Sequence, residues 1–249
     1  MADVVSLSNH PTRCRECRYA HDCPLLEESG ATMDGVTQSR IRVLHHGDRL
    51  FRAGDRVEAL YRVRTGVVKT SVTGNDGCEQ VTGFFGAGEW VGLDGLDGEH
   101  HANEAVALDT ASVCVIPYPT LRERLRHSAR AARVMMSVMS QRLGAKEEMH
   151  LSLARSNAGQ RLAGFLLDLS ERRAAADLDA DDIALPMSRG EIASYLALAV
   201  ETVSRLLTRM HRAGIVEVHR SHVEVLDREG LEALAGRGSD TTRRQAAAR

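Results

Sequence analysis

One long segment without helix-breaking residues divides this sequence of 249 residues into two parts. Residues 127–156 contain no proline and a single glycine, Gly144, so they are predicted to form one continuous helix. Its length favours a coiled-coil helix that pairs with a second copy of the chain. The chain is therefore expected to place one folded unit before this helix and another after it.

The apolar residues of this helix recur at steps of three and four, and a lysine interrupts their row. The predicted homodimer seam consists of Met136, Met139, Leu143, Lys146, His150 and Leu153. Lys146 would face its own symmetry mate, and the two like charges would weaken the pairing. The alternative is a helix that packs on the domain preceding it.

Short β-type runs separated by glycines fill residues 40–120, before the helix. The runs lie at 57–61, 67–72, 80–85 and 111–116, with turn residues between them. This spacing predicts a small antiparallel barrel or sandwich.

The residues after the helix alternate between short helical and short β-type patterns. Ser188 and Glu191 have the spacing of a capping box, which predicts that a helix begins there. A second helix is predicted to end before Gly214, a residue suited to a helix C-terminus. Two β-type runs, at 215–218 and 223–226, then predict a hairpin. Two short helices followed by a hairpin indicate a winged helix-turn-helix.

The second of these short helices has the composition of a DNA-reading helix. In a major groove, Arg205 can donate to guanine O6 and N7, Glu201 can accept from cytosine N4, and Ser204 can do either. The alternative is a solvent-exposed ion pair between Glu201 and Arg205. The predicted DNA contacts are Glu201, Thr202, Ser204, Arg205, Thr208, Arg209 and Arg212, of which Arg209 and Arg212 suit phosphates.

Three of the five cysteines lie in a polar stretch with the spacing Cys14-x2-Cys17-x5-Cys23. The first residues show no secretory leader, and no apolar run reaches the roughly 18 residues of a membrane span. We therefore expect a cytoplasmic protein whose thiols stay reduced and bind a metal or cluster. Three thiolates are one ligand short of a tetrahedral or cubane site.

Other classes of function find little support in the sequence. The net charge of −2 does not indicate nucleic-acid binding by the chain as a whole. There is no glycine-rich phosphate loop, no recognisable carboxylate pair and no nucleophile elbow, so we do not expect an enzyme. The histidine pairs at 45–46 and 100–101 are expected in turns or at the surface, because neighbours on a strand point to opposite faces.

Four segments carry a resemblance that extends from Cys14 to about residue 235. They are LFRAGD at 50–55, EQVTGF at 79–84, SVCVIP at 112–117 and VETVSRLL at 200–207. With the cysteine spacing, they resemble the Crp–Fnr superfamily of bacterial regulators, most closely its oxygen-sensing FNR branch, named for fumarate and nitrate reduction. The resemblance implies an α+β fold: an N-terminal antiparallel β-roll of the cyclic-nucleotide-binding type, a long dimerisation helix and a C-terminal winged helix-turn-helix.

The same resemblance implies a function. Cys14, Cys17, Cys23 and Cys114 would hold one [4Fe–4S] cluster, which promotes dimerisation and binding to double-stranded DNA at a TTGAT-N4-ATCAA-like palindrome, and which oxygen destroys. RNA polymerase is the implied protein partner. The implied domains are a cysteine segment (1–30), a β-roll sensor (31–126), a dimerisation helix (127–157), a DNA-binding domain (158–236) and a disordered tail (237–249).

Two other ligands are weighed against the cluster. The same four cysteines could hold zinc, since spacing alone does not separate the two. The cyclic-AMP-binding branch of the family carries an arginine after a Gly-Glu pair, whereas here Gly88-Glu89 is followed by residues 100–104 without arginine, so we expect no cyclic nucleotide. Cys78 stands in a turn that resembles a polymerase-contacting loop, where the family more often has an acid, and is expected to be a spare surface thiol.

Overall fold

A computed structural model of the chain describes residues 12–13, 17–26, 38–74, 76–96 and 99–237. Cys14 and the predicted tail beyond Arg237 lie outside the described residues. Two compact units are present, Met1–Lys146 and Glu147–Arg249, and the boundary between them falls within one long helix. The architecture is the α+β fold that the sequence predicts.

The first unit is an antiparallel β-roll. Its strands are β1 (Thr12–Arg13), β2 (Gln38–Leu44), β3 (Arg49–Phe51), β4 (Ala59–Thr65), β5 (Val68–Thr73), β6 (Glu79–Phe85), β7 (Trp90–Val91), β8 (Glu104–Ala107) and β9 (Ala111–Pro117). One sheet has the order β1-β2-β9-β4-β7 and the other the order β3-β8-β5-β6. Both contribute to one apolar core, in which Val63, Val68 and Val113 have no exposed surface.

Two helices follow the β-roll. The first, α1 (Tyr118–His127), buries Leu121 completely. The second, α2 (Ala129–Arg155), is the predicted long helix. It is separate from α1 because Ser128 adopts an extended backbone, and the Ser128 hydroxyl accepts a hydrogen bond from the Ala131 amide at 3.2 Å. That bond caps the start of α2.

The second unit contains the predicted winged helix-turn-helix. Ser188 and Glu191 form the predicted capping box, each side chain accepting from the backbone amide of the other residue. Gly214 ends the second helix at φ = +70°, a conformation that glycine adopts without strain. The elements are α3 (Ala158–Ala175), β10 (Asp182–Ala184), α4 (Arg189–Leu196), α5 (Val200–Arg212), β11 (Val216–Val218), β12 (His222–Val225) and α6 (Arg228–Leu234), with the strand order β10-β12-β11.

Candidate functional site

Helix α5 presents one buried and one exposed face. Val203, Leu207 and Met210 are buried in the second unit. The hydrophobic spacing of this helix is therefore satisfied inside the unit, which leaves its polar side outward. The predicted DNA contacts Glu201, Ser204, Arg205, Thr208, Arg209 and Arg212 are all exposed, and Thr202 is partly exposed.

The alternative ion pair on this face is not formed. Glu201 and Arg205, both among the described residues, form no salt bridge with each other within 4.0 Å. Nη2 of Arg205 donates instead to the Thr202 hydroxyl at 3.4 Å. The hydroxyls of Ser204 and Thr208 donate to carbonyls one turn earlier, at 3.1 and 2.9 Å. The charged ends of Glu201 and Arg205 thus point to solvent, where a base edge could meet them.

An arginine outside α5 fixes the turn that leads into it. Ala197 ends α4 in the left-handed conformation at φ = +51°, which is unfavourable for alanine. Arg161, on α3, donates to the carbonyls of Leu196 and Ala197 at 3.0 and 3.4 Å. A cation there satisfies orphan carbonyls and complements the helix dipole. Arg161 is not among the predicted site residues, since nothing in the local sequence marks an arginine that caps another helix.

Helix α2 exposes the apolar side chains predicted for the dimer seam. Met136 is 70% exposed, Leu143 61% and Met139 49%, values that a core-facing helix would not show. Leu153 and, outside the predicted row, Leu151 are also exposed. Lys146 and His150 are exposed on the same helix. An exposed apolar row of this kind marks an interaction surface.

The structure brings two of the predicted cysteine ligands against one hydrophobic cluster. Cys23 follows a short 3-10 turn (Ala20–Asp22), and Cys114 lies on β9. Both are partly buried, as is Cys17. Cys78 is exposed in the turn between β5 and β6, as expected for a surface thiol. The cluster that Cys23 and Cys114 contact consists of Leu25, Leu60, Trp90, Ile116, Leu121 and Met135.

A buried arginine attaches the cysteine segment, residues 17–26, to the β-roll. Arg62 of β4 donates to both carboxylate oxygens of Asp22, at 2.8 and 2.6 Å. It also donates to the carbonyls of Gly88 and Tyr19, at 2.9 and 3.3 Å. Its guanidinium carbon lies 4.5 Å from the centre of the Tyr19 ring. Bidentate pairing and stacking are the contacts at which arginine surpasses lysine.

A second arginine attaches the same segment to α2. Arg130 donates to the carbonyls of Cys23 at 3.1 Å, His21 at 2.7 Å and Leu26. Neither Arg62 nor Arg130 is among the predicted site residues. Arg62 had a signal, because it is a charged residue within the otherwise apolar start of β4. Arg130 had none, because its acceptors are backbone carbonyls.

The donor set around the cysteines fits an iron–sulfur cluster. The indole Nε1–H of Trp90 is buried without a hydrogen-bond acceptor. Trp90 belongs to the hydrophobic cluster that Cys23 and Cys114 contact. A buried orphan donor is costly, and hydrogen bonds to sulfur are among the contacts that tune such clusters. Soft thiolates complete a suitable ligand set.

The sulfur atoms of the described cysteines do not have the mutual distances of a closed zinc site. Among the described residues, one group of three or more His, Cys, Asp or Glu side chains has donor atoms within 4.8 Å of one another. It consists of Glu217, His219 and Glu224, on the β11–β12 hairpin. A closed zinc site with Zn–S bonds of about 2.3 Å needs thiolates about 4 Å apart. The described cysteine sulfurs do not form such a group. The hairpin group is a surface feature with no second sign of a ligand.

The interior of the β-roll holds a buried polar network. His101 is 3% exposed, which corrects the expectation of a turn or surface histidine. Its ring stacks on Phe51 at 3.7 Å, and its Nδ1 lies 3.5 Å from Oδ1 of Asp94, farther than in an ordinary hydrogen bond. Burial raises the pKa of Asp94, but contacts with His101 and Asn103 outweigh it and lower that pKa to about 2.

Comparisons with known families match both units. A family model described as a cyclic nucleotide-binding domain matches residues 41–128, and one described as a Crp-like helix-turn-helix domain matches residues 160–234. In the described part of the chain, no helix has both the length and the apolarity to cross a bilayer.

Whole-chain relatives are transcription regulators by name. The chain is 40% identical over 239 residues to the transcriptional activator protein Anr of Pseudomonas protegens, covering 95% of this chain and 98% of that protein. It is 35% identical over 226 residues to the fumarate and nitrate reduction regulatory protein of Escherichia coli K12, covering 90% of each. The solved structure of FixK2 from Bradyrhizobium japonicum matches with a TM-score of 0.72 and 29% identity, over 79% of this chain and 96% of that one.

Proposed function

This chain belongs to the Crp–Fnr family of DNA-binding transcription regulators, and we propose that a [4Fe–4S] cluster makes its dimerisation and DNA binding depend on the absence of oxygen. Cys14, Cys17, Cys23 and Cys114 are the proposed ligands. The observation that carries the proposal is that Cys23 and Cys114, far apart in sequence, contact one hydrophobic cluster that also contains Met135 of α2. A ligand set at this point touches both the β-roll and the dimer helix.

The cluster, when bound, ties four thiolates into one unit and supplies sensitivity to oxygen. The cysteine segment would link the state of the thiolates to the β-roll and to α2. With its thiolates tied, the segment keeps Leu25 buried against Leu60 and Trp90. With its thiolates untied, the contacts of Arg62, Arg130 and the apolar side chains remain to keep the segment in place.

The exposed row on α2 is proposed to be the dimer seam. Met136, Met139, Leu143 and Leu153 offer apolar area, whereas two Lys146 side chains would repel each other across the seam. A weak seam suits a switch, since a strongly pairing helix would dimerise whatever the cysteines bound. A few kcal/mol of difference between the two states is enough to shift the population.

The dimer is proposed to bind a TTGAT-N4-ATCAA-like palindrome. Two α5 helices would enter successive major grooves about 34 Å apart, with Glu201, Ser204 and Arg205 at base edges. Arg209 and Arg212 suit phosphates. The proposal places the protein in the cytoplasm, with RNA polymerase as a partner of the turn around Cys78.

The test is purification under argon, followed by iron and sulfide counts and by DNA binding before and after air. We expect a brown protein that binds the palindrome under argon and releases it in air. Cys23→Ser should abolish both colour and binding, and Cys78→Ser is the matched control that should retain both. A colourless zinc protein, or DNA binding indifferent to air, would contradict the proposal.

The β-roll is not proposed to bind a cyclic nucleotide. The cations buried in its strands have acidic partners: Arg62 pairs with Asp22, and Lys69 pairs with Glu79 at 2.7 Å. The stacked His101 and Phe51 rings occupy interior volume. Calorimetric titration with cyclic AMP should give no heat of binding.

A further inference from the structure

The first turn of α2 carries a cation where helices favour anions. Arg130 is the second residue of the helix, and the first turn contains no acidic side chain. The positive end of the helix dipole lies there, so a lysine or arginine is unfavourable unless acceptors compensate it. The hydroxyl of Ser128 caps an amide and does not neutralise the charge.

Among the described residues, the compensating acceptors of Arg130 all belong to the cysteine segment. Arg130 donates to the carbonyls of His21, Cys23 and Leu26, so one guanidinium collects three oxygens that lie together only when the segment is folded. Cys23 is itself a proposed ligand. If the segment loosens, Arg130 loses all three acceptors at once, and the start of α2 is left with an uncompensated cation.

Arg62 differs from Arg130 in what it joins. It is 5% exposed and connects the segment to Gly88 and to the strands of the β-roll, and its described hydrogen bonds include none to α2. Its pairing with Asp22 attaches the cysteine segment to the β-roll. Both arginines thus hold residues next to or at Cys23, and of the two only Arg130 belongs to the dimer helix.

We propose that Arg130 transmits occupancy of the cysteine site to α2, by ordering the start of the dimer helix only when residues 21–26 present their carbonyls. Arg130 is a positioning residue in this scheme and does not ligate the cluster. The inference rests on the proposed function, because it needs a ligand that the cysteines bind and lose.

The test compares wild type, Arg130→Met, Arg130→Lys and the control Arg122→Met, which removes an exposed cation from α1. Each protein is purified under argon; iron, sulfide and visible absorbance report loading, and sedimentation reports dimerisation. We expect Arg130→Met to load as wild type but to dimerise at least tenfold more weakly, which corresponds to 1.4 kcal/mol. Arg130→Lys should be intermediate, because lysine keeps the charge but lacks the planar fork.

Hydrogen exchange supplies a readout that general destabilisation would not reproduce. In wild type and Arg122→Met, amides at 129–135 should exchange more slowly under argon than in air, and in Arg130→Met this difference should vanish. If Arg130→Met unfolds by circular dichroism, the same comparison is made with Arg130→Lys, which should show a reduced difference.

The outcomes of the test distinguish a failure of this inference from a failure of the proposed function. A wild type without iron and sulfide would overturn the proposed function itself. A loaded Arg130→Met protein that dimerises as wild type would overturn only the inference. An Arg130→Met protein that folds but cannot load would also overturn it, because Arg130 would then help to build the site.

Discussion

Arg62 meets the carboxylate of Asp22 with both terminal nitrogens, across 40 residues of sequence. The guanidinium is nearly buried, whereas the Asp22 side chain is 41% exposed. The pair therefore combines good geometry with partial access to water, which moderates both its desolvation cost and its strength. It joins the cysteine segment to the β-roll through protein side chains alone.

This pair gives a prediction for the ligand-free chain. Asp22→Asn and Arg62→Met should each loosen residues 17–26, and the double variant should cost less than the sum, with a coupling of about 1–2 kcal/mol. Hydrogen exchange of the Cys23 and Leu26 amides, which donate within the segment, measures the loosening. Additive effects would show that the pair contributes little.

Replacing Lys146 by leucine should yield dimers in air. The change removes like-charge repulsion and extends the exposed apolar row of α2. DNA binding should become insensitive to oxygen, because pairing no longer needs an occupied cysteine site. Sedimentation and DNA titration in air measure the two effects.

The matched control for Lys146→Leu is Glu148→Leu. Glu148 is also exposed on α2 but points away from the predicted row. The Glu148→Leu protein should remain monomeric in air. If Lys146→Leu is monomeric as well, the seam lies elsewhere on the helix.

Replacing Arg205 and replacing Arg212 should weaken DNA binding in different ways. Arg205→Ala should cost about 1–3 kcal/mol per half-site and relax the preference for one base pair. Arg212→Ala should weaken matching and unrelated DNA alike and lower the salt slope of binding by about one. Titrations at several salt concentrations distinguish them. Equal losses of specificity would contradict this division of roles.

The depressed pKa of Asp94 predicts how stability changes with acid. An aspartate whose pKa is lower in the folded state than in the unfolded state stabilises the fold above about pH 4, and this contribution is lost as pH falls towards 2. Asp94→Asn should thus reduce the free energy of unfolding by about 2 kcal/mol at pH 7.

The difference between wild type and Asp94→Asn should shrink to about half by pH 3. Urea unfolding of both proteins at pH 7, 5, 4 and 3 measures it. A difference that does not change with pH would mean that packing, and not the carboxylate charge, accounts for the loss.

Periodicity and turn residues sufficed to predict the main elements. The uninterrupted run gave α2, and the Ser188–Glu191 spacing gave the start of α4. Strand β2 was missed because its charged residues alternate along a short run, and β8 because it has only four residues. That Cys23 and Cys114 contact the same hydrophobic cluster could be expected only from the resemblance, since no local pattern specifies which strand a distant segment covers.

The error at His101 also has a physical cause. A histidine beside turn residues is usually solvent-exposed. Here the bridge between Arg56 and His100 directs His101 inward, onto Phe51 and beside Asp94. Alternation along the chain could have assigned opposite faces to His100 and His101, but not which of them faces the core.

The acceptors of Arg130 have a consequence for how such regulators diverge. Any residue at positions 21, 23 or 26 supplies the same carbonyl, so sequence changes there need no matching change at position 130. Asp22 and Arg62 meet through side chains and should change together among relatives. Covariation would then reveal one attachment of the cysteine segment and overlook the other, even where both are needed.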